Sequence, residues 1–277
     1  MNPILIVLIV ALSLALLVLL LGLFMIAPGQ KKRQMQRYAK VKYAHRGLHD
    51  ATRAENSMSA FRAAKEHGFG IELDVRLSKD GELVVFHDDD LKRMTGVDGK
   101  VNEYTKDELA KMSLLGTEDG VPTLREVLEL IDGAVPLLIE IKSKNGKEGT
   151  AEKLVEVIKD YKGEFIVESF NPLSLRVIKK ARPDVLRGIL SMEYTKDERY
   201  KGKTIFTLSE KLLLNFLMRP NFVAYEKNGY AVKNVRLIRR SFGTPLIAWT
   251  IKSLEEEKEA ISRGFDTVIF EGYLPEK

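Results

Sequence analysis

Gly70-Ile71-Glu72-Leu73-Asp74-Val75-Arg76-Leu77-Ser78-Lys79-Asp80-Gly81-Glu82-Leu83-Val84-Val85-Phe86-His87 is the stretch whose reading decides the fold. Two apolar runs, Gly70–Val75 and Leu83–His87, flank Ser78-Lys79-Asp80-Gly81, which is too short for a helix and carries the Asp-Gly pair favoured in hairpin turns. The second run is expected to fold back antiparallel beside Gly70–Leu77. A turn centred near Lys79-Asp80 sets His87 opposite Glu72. Within the first run Glu72 and Asp74 lie two residues apart, so both point to one face, with Leu73 and Val75 on the other.

Working outward, further strand-like runs occur at Lys42–His45, Pro136–Ile141, Phe165–Glu168, Leu186–Leu190, Phe222–Tyr225, Leu246–Trp249 and Thr267–Phe270. Amphipathic stretches at Ser57–Glu66, Leu124–Ile131, Thr150–Tyr161, Pro172–Lys180, Ser209–Phe216, Ala231–Arg240 and Ser253–Arg263 alternate with them. Such alternation means parallel strands joined by crossover helices. Setting the hairpin arm aside leaves eight parallel strands, the number that closes a TIM (β/α)8 barrel. A doubly wound open sheet would alternate as well.

The barrel domain is expected over residues 40–277, close to the ~250 residues typical of one such barrel. Residues Asp89 to Val121, rich in charge and glycine, read as a small insertion after the third strand that forms a lid or rim. The charged, Tyr-containing segment Ser191–Thr204 reads as a plain solvated connection, with another rim loop as the alternative. Residues 1–28 read as a transmembrane helix, because Met1 to Ala27 contain no charged side chain and ~20 apolar residues suffice to span. A cleaved signal peptide is the competing reading, but the basic n-region, short apolar core and small-residue cleavage site it needs are not evident.

Residues 29–39 open a basic juxtamembrane segment, and Lys31, Lys32, Arg33, Arg37, Lys40 and Lys42 follow the apolar run. The positive-inside bias then predicts a single-pass protein of the cell membrane with a cytoplasmic catalytic body. The net charge of +5 owes much to this cluster, which suits anionic lipid and does not argue for nucleic acid. The absence of cysteine excludes disulfides, thiolate metal sites and cysteine nucleophiles.

Two carboxylates side by side on a buried strand raise each other's pKa unless a cation sits between them. A divalent metal answers this for Glu72 and Asp74, and Glu140, near another strand end, is the third oxygen ligand. An all-carboxylate set suits Mg²⁺ or Ca²⁺. Salt bridges to Arg46, Arg76 or Lys142 are the plainer alternative. The hairpin brings His87 beside these acids and the first strand brings His45 to the same rim. Two histidines there can divide general acid and general base, as phosphodiester cleavage requires. Each taken alone also reads as a packed hydrogen-bonder, as His49 and His67 do. Arg46 and Lys142 offer the fixed cations a phosphate diester needs. Trp249 and Phe170 end late strands, as packing or as a wall for an apolar or glycerol portion of a substrate. Asn56 precedes a helix that Ser57 caps.

The ordered set His45-Arg46-Gly47, Glu55-Asn56, Glu72-Leu73-Asp74, His87-Asp88, Arg93-Met94-Thr95-Gly96, Val121-Pro122-Thr123-Leu124, Glu140-Ile141-Lys142, Ser169-Phe170 and Ala248-Trp249-Thr250 resembles the glycerophosphodiester phosphodiesterases. The resemblance implies a distorted TIM barrel with a small subdomain inserted after the His87 strand. It implies a divalent cation on Glu72, Asp74 and Glu140, acid and base roles for His45 and His87, and phosphate binding by Arg46 and Lys142. Glu55 and Asn56 are implied to support this shell. Two departures stand out: Phe270-Glu271-Gly272-Tyr273-Leu274-Pro275 where relatives carry an aspartate and proline, and Ala54 in place of a proline.

The expected function is a membrane-anchored, metal-dependent hydrolase that cleaves glycerophosphodiesters to sn-glycerol 3-phosphate and an alcohol. The alternatives are a lysophospholipase D-like activity on lysophospholipids and a catalytically silent scaffold that binds lipid headgroups.

Overall fold

The structure is a computed structural model that describes residues 2–276. Among the described residues there are nine strands: β1 Tyr43–Ala44, β2 Gly70–Leu77, β3 Leu83–Val85, β4 Leu137–Ile141, β5 Phe165–Ser169, β6 Arg187–Ser191, β7 Phe222–Glu226, β8 Leu246–Ile251 and β9 Thr267–Phe270. Their order is β1-β9-β8-β7-β6-β5-β4-β2-β3, and β1 also pairs with β2, so eight parallel strands close into a barrel. Only β3 is antiparallel, on the outside edge of β2. This is the expected TIM barrel with its hairpin arm.

The helices are α1 Pro3–Ile26, α2 Lys32–Met35, α3 Met58–Glu66, α4 Lys92–Thr95, α5 Lys106–Leu109, α6 Leu124–Ile131, α7 Thr150–Val157, α8 Pro172–Ala181, α9 Thr204–Glu210, α10 Asn215–Met218, α11 Lys233–Phe242 and α12 Leu254–Ser262. Ser57, Thr123, Asn171 and Ser253 each cap the helix that follows with a side-chain oxygen. The single helix expected over Ser209–Phe216 is broken into α9 and α10, because Leu212 takes a left-handed backbone (φ 57°) while its side chain is buried.

Strand alternation sorts the core into two layers. Leu73, Val75, Ile139, Ile141, Val167 and Val223 face outward into the shell beneath the helices. Tyr43, Leu138, Ile166, Phe222, Ile247 and Ile269 face inward and fill the lower barrel. Strands buried on both faces read as near-continuous apolar runs, which is why these runs were legible. The segment expected as a basic tether also contributes Met35 and Tyr38 to this inner cluster, closing the barrel floor. Residues 89–121 form a compact unit with Leu91, Met94, Val101, Leu109 and Leu114 packed on Val84 and Phe86 of the hairpin arm. Ser191–Thr204 is not simply solvated, since Tyr194 and Tyr200 pack on Phe206 at centroid distances of 5.2 and 4.5 Å and on each other at 5.3 Å.

Among the described residues, α1 is the one helix long and apolar enough to cross a membrane. Asn2 caps it and Pro3 opens its first turn. Its last turn alone is fastened to the barrel, where Arg219 Nη1 donates to the Phe24 carbonyl at 2.7 Å and stacks on the Phe24 ring.

Candidate active site

The C-terminal ends of the parallel strands carry a charged layer above the apolar one, at the face where TIM-barrel enzymes build their sites. Asp74 is level with Glu140, and Glu140 with Glu168, across adjacent strands. Carboxylate oxygens of Glu72, Asp74 and Glu140 all lie within 4.8 Å of one another, and all three residues are buried. Burial, together with the charges of Asp74 and Glu140, pushes the Glu72 carboxyl well above the usual range. Glu140 is raised to about 7, chiefly by burial. For Asp74 burial works upward as well, but Lys142, His87 and Arg46 together with the Asn56 amide outweigh it and hold the group ionised.

Two cations partly compensate the three acids. Lys142 Nζ lies 3.0 Å from Asp74 Oδ1 and 2.8 Å from Glu140 Oε1. Arg46 Nε lies 3.4 Å from Asp74 Oδ2, and the Arg46 backbone N–H donates to Glu72 Oε2 at 2.9 Å. This last bond needs Arg46 in a left-handed conformation (φ 55°), an uncommon state for a residue with a side chain. Gly47 follows at φ 82°, and a Cβ there would meet the Ala60 backbone at 2.9 Å. The His-Arg-Gly sequence is thus a tight turn that aims an amide at Glu72. Asn56 Nδ2 donates to Asp74 Oδ2 at 2.9 Å, and Glu55 bridges Arg46 and Arg93 at 2.7 and 2.6 Å. A hard divalent cation fits this donor set, since its charge would offset the burial and the mutual repulsion that raise the Glu72 and Glu140 carboxyls.

The histidines flank the acids, each with its own carboxylate. His45 Nδ1 donates to Glu271 Oε2 at 2.8 Å and His87 Nδ1 to Asp88 Oδ1 at 2.7 Å, which leaves each Nε2 as the free nitrogen. Burial lowers the pKa of His45 against the opposing pull of Glu271. His87 is lowered to about 4, mainly by burial, with Lys142 and Arg46 adding to it and Asp74 opposing. His45 holds Glu271 down to about 2 through their hydrogen bond. The expected pairing of His87 with Glu72 is not observed. The ladder runs Val75–Val85, Arg76–Val84 and Leu77–Leu83, one residue out of the expected register, and β3 ends at Val85. His87 lies beyond the ladder, where the Arg76 guanidinium grips its carbonyl oxygen at 2.8 and 2.9 Å.

Phe170 and Trp249 meet edge to face at 5.5 Å over the inner cluster, and Lys142 Nζ lies 6.0 Å from the Phe170 ring centre. The Trp249 indole nitrogen is buried without a hydrogen-bond partner. The candidate site residues named from the sequence are therefore linked by these contacts at one end of the barrel, whereas His67 caps α3 and stacks on Phe69.

The sequence profile described as the glycerophosphoryl diester phosphodiesterase family matches residues 45–272. The chain belongs to that family. It is 43% identical to a glycerophosphodiester phosphodiesterase of Caldanaerobacter subterraneus over 161 residues, which span 53% of this chain and 65% of that one. A glycerophosphodiester phosphodiesterase from Thermotoga maritima has the same fold, with a TM-score of 0.63 at 32% identity over 83% of this chain and 94% of that one. A phosphodiesterase from Oleispira antarctica, solved with its product sn-glycerol-3-phosphate, superposes with a TM-score of 0.69 at 26% identity over 84% and 94% of the two chains.

Three carboxylates of this site were not assigned from sequence. Glu271 stood out only as a departure, yet it is the partner of His45 and lies with His45 and His49 in a second cluster of possible ligand atoms. His49, taken for an ordinary loop histidine, thus sits beside the site. Asp88 holds His87 and is itself held by Arg93 Nε at 2.6 Å. Glu168 is buried with one oxygen unpartnered, and burial with the charges of Glu72 and Glu140 raises its pKa strongly. Its inward position next to Glu140 follows from strand alternation, so the signal was present in Phe165–Glu168.

Proposed function

We propose that this chain is a membrane-anchored, divalent-metal-dependent phosphodiesterase that hydrolyses glycerophosphodiesters to sn-glycerol 3-phosphate and an alcohol. The observation that carries this reading is the buried Glu72, Asp74 and Glu140 cluster, flanked by two histidines whose Nδ1 atoms are held by carboxylates.

In this reading Glu72, Asp74 and Glu140 hold Mg²⁺ or Ca²⁺. The bound cation supplies Lewis-acid polarisation of the phosphoryl oxygen. Arg46 and Lys142 neutralise the diester anion, with Glu55 and Asn56 keeping Arg46 and Asp74 in place. Burial keeps His87 neutral at pH 7, so its Nε2 is ready to take a proton from the nucleophile. His45, whose protonated form Glu271 favours, gives a proton to the leaving alkoxide. Phe170 and Trp249 wall the glycerol side, and the Trp249 N–H is a free donor for a glycerol hydroxyl. The helix α1 anchors the barrel, and the basic residues that follow it favour a cytoplasmic position.

The test uses the full chain in detergent, with sn-glycerol 3-phosphate release from glycerophosphocholine measured before and after EDTA. Release that EDTA stops and Mg²⁺ or Ca²⁺ restores is the expected outcome. Turnover that survives complete metal removal would sink the metal assignment, and no turnover with any metal would sink the substrate.

A further inference from the structure

Beside the three-carboxylate cluster, and sharing no residue with it, stands a second group of metal-ligand side chains. His45, His49 and Glu271 each offer one ligand atom, and these atoms lie within 4.8 Å of one another. The backbone brings all three together. The His45 N–H donates to the Phe270 carbonyl at 2.9 Å, so the pairing of β1 with β9 sets His45 beside Glu271. Arg46 and Gly47, both left-handed, then turn the chain, and the Leu48 N–H is tied to the Ala60 carbonyl at 3.0 Å. His49 thereby returns toward the pair four residues after His45. On its other side Asp50 Oδ1 accepts from the Thr52 and Arg53 N–H groups at 2.8 and 3.1 Å, which fixes the loop.

The reaction proposed above leaves His49 without a task. Its Nε2 is buried and has no hydrogen-bond partner, a costly state that a histidine kept only for packing avoids by pairing. Glu271 turns Oε2 toward His45 Nδ1 at 2.8 Å and Oε1 toward Lys252 Nζ at 3.4 Å, a cation that favours its ionised form. Two imidazoles and one carboxylate make a donor set for borderline ions such as Zn²⁺, whereas Glu72, Asp74 and Glu140 suit hard ones. Zinc bonds of about 2.0–2.2 Å place two ligands of a tetrahedral ion about 3.4 Å apart, so the present spread closes by at most about 1.4 Å. The side chains of His45 and Glu271 are 18% and 26% exposed, which leaves an ion a path from solvent.

We propose that His45, His49 and Glu271 form a second metal site that takes Zn²⁺, and that filling it stops the phosphodiester reaction. The inhibitory half rests on the phosphodiesterase reading above, while the binding half does not. A neutral imidazole has one lone pair. With that pair on zinc, His45 cannot become the imidazolium that gives a proton to the leaving alkoxide, whichever ring nitrogen binds. The ion also takes Glu271 away from His45. Excess Mg²⁺ does not relieve the block, because the two ions compete for no common ligand.

The experiment titrates Zn²⁺ into the full chain in detergent at saturating Mg²⁺, reading binding by calorimetry and sn-glycerol 3-phosphate release from glycerophosphocholine. The wild type is expected to bind zinc and to lose turnover as the site fills. His49→Ala and His49→Gln should keep their zinc-free kcat/KM within about twofold and need about tenfold more zinc for half-binding and half-inhibition, equivalent to ~1.4 kcal/mol. His67→Ala, which alters a histidine at the end of α3, should respond as the wild type does. Glu271→Gln, read by calorimetry alone, should lose affinity by a similar factor. Zinc responses unchanged in both His49 variants, affinity unchanged in Glu271→Gln, or no zinc binding by the Mg²⁺-loaded wild type would each overturn the site. Binding that needs His49 but leaves turnover untouched would overturn the inhibition. Zinc binding that needs His49 in a protein that turns over no diester with any metal would instead strike the phosphodiesterase reading and leave the site standing.

Discussion

At the lower end of the barrel the interior is filled by Met35, Tyr38, Tyr43, Leu138, Ile166 and Phe222, and two residues further along the same strands by Glu140 and Glu168, beside Glu72, Asp74 and Lys142. Leu138 and Glu140 share one face of β4, as Ile166 and Glu168 share one face of β5. A single pleat step separates an apolar layer from four buried carboxylates. The lower layer stabilises by burial, at about 1.5–3 kcal/mol for each large side chain. The upper layer costs free energy, because its acids are desolvated and repel one another. Stability and chemistry are thus separated along the barrel axis.

The comparison breaks if a change in one layer is felt mainly in the other. Glu72→Gln keeps the side-chain volume and an acceptor for the Arg46 amide while removing the charge. It is expected to reduce kcat/KM on glycerophosphocholine on the order of 10³-fold, comparable with loss of a main electrostatic group. Unfolding in EDTA should stay within about 1 kcal/mol of wild type, because burial already favours the neutral Glu72. A rise in Tm with Mg²⁺ or Ca²⁺ is expected for the wild type and should vanish in the variant. A large fall in metal-free stability would show that the charged layer also holds the fold together.

Met35→Ala tests the other end. Met35 is fully buried in the floor, so its truncation should cost about 2–5 kcal/mol in chemical denaturation. The activity per folded molecule should remain within about twofold of wild type. A selective loss of kcat with unchanged stability would join the two layers that the fold keeps apart.

Much of this architecture was legible because inward and outward residues alternate in the strands, and a barrel buried on both faces leaves long apolar runs. The Asp-Gly turn likewise identified the one antiparallel arm. Its register was misplaced by one residue because the turn is centred on Asp80, and the pattern Leu-Val-Val-Phe is apolar throughout and cannot report which face is which. The shared face of Glu72 and Asp74 followed from period two within a strand, and Glu140 from its place near the end of another. The carboxylate partner of His45 did not, since Glu271 is 226 residues away and meets it only when β9 closes against β1. Met35 and Tyr38 were hidden by the basic residues around them, whose charges signalled a tether while the two apolar side chains sealed the floor.

The two histidine arms sharpen the comparison within the charged layer. Glu271 favours the protonated form of His45, and Asp88 that of His87, while burial opposes protonation in both. Replacing either carboxylate with its amide therefore lowers the pKa of its own histidine and moves that histidine's limb of the pH profile to lower pH. In Glu271→Gln, with His45 as the acid, it is the alkaline limb of kcat/KM that moves down, because the protonated fraction is lost at a lower pH. In Asp88→Asn, with His87 as the base, the acidic limb moves down instead, from a group already held at about 4. The loss at the optimum should be about tenfold for each, a small part of the ~10²–10⁴ that positioned acid–base catalysis supplies. Profiles measured on glycerophosphocholine at saturating metal decide the matter: an acidic-limb shift in Glu271→Gln with an alkaline-limb shift in Asp88→Asn would exchange the two roles, and no shift in either would remove both histidines from proton transfer.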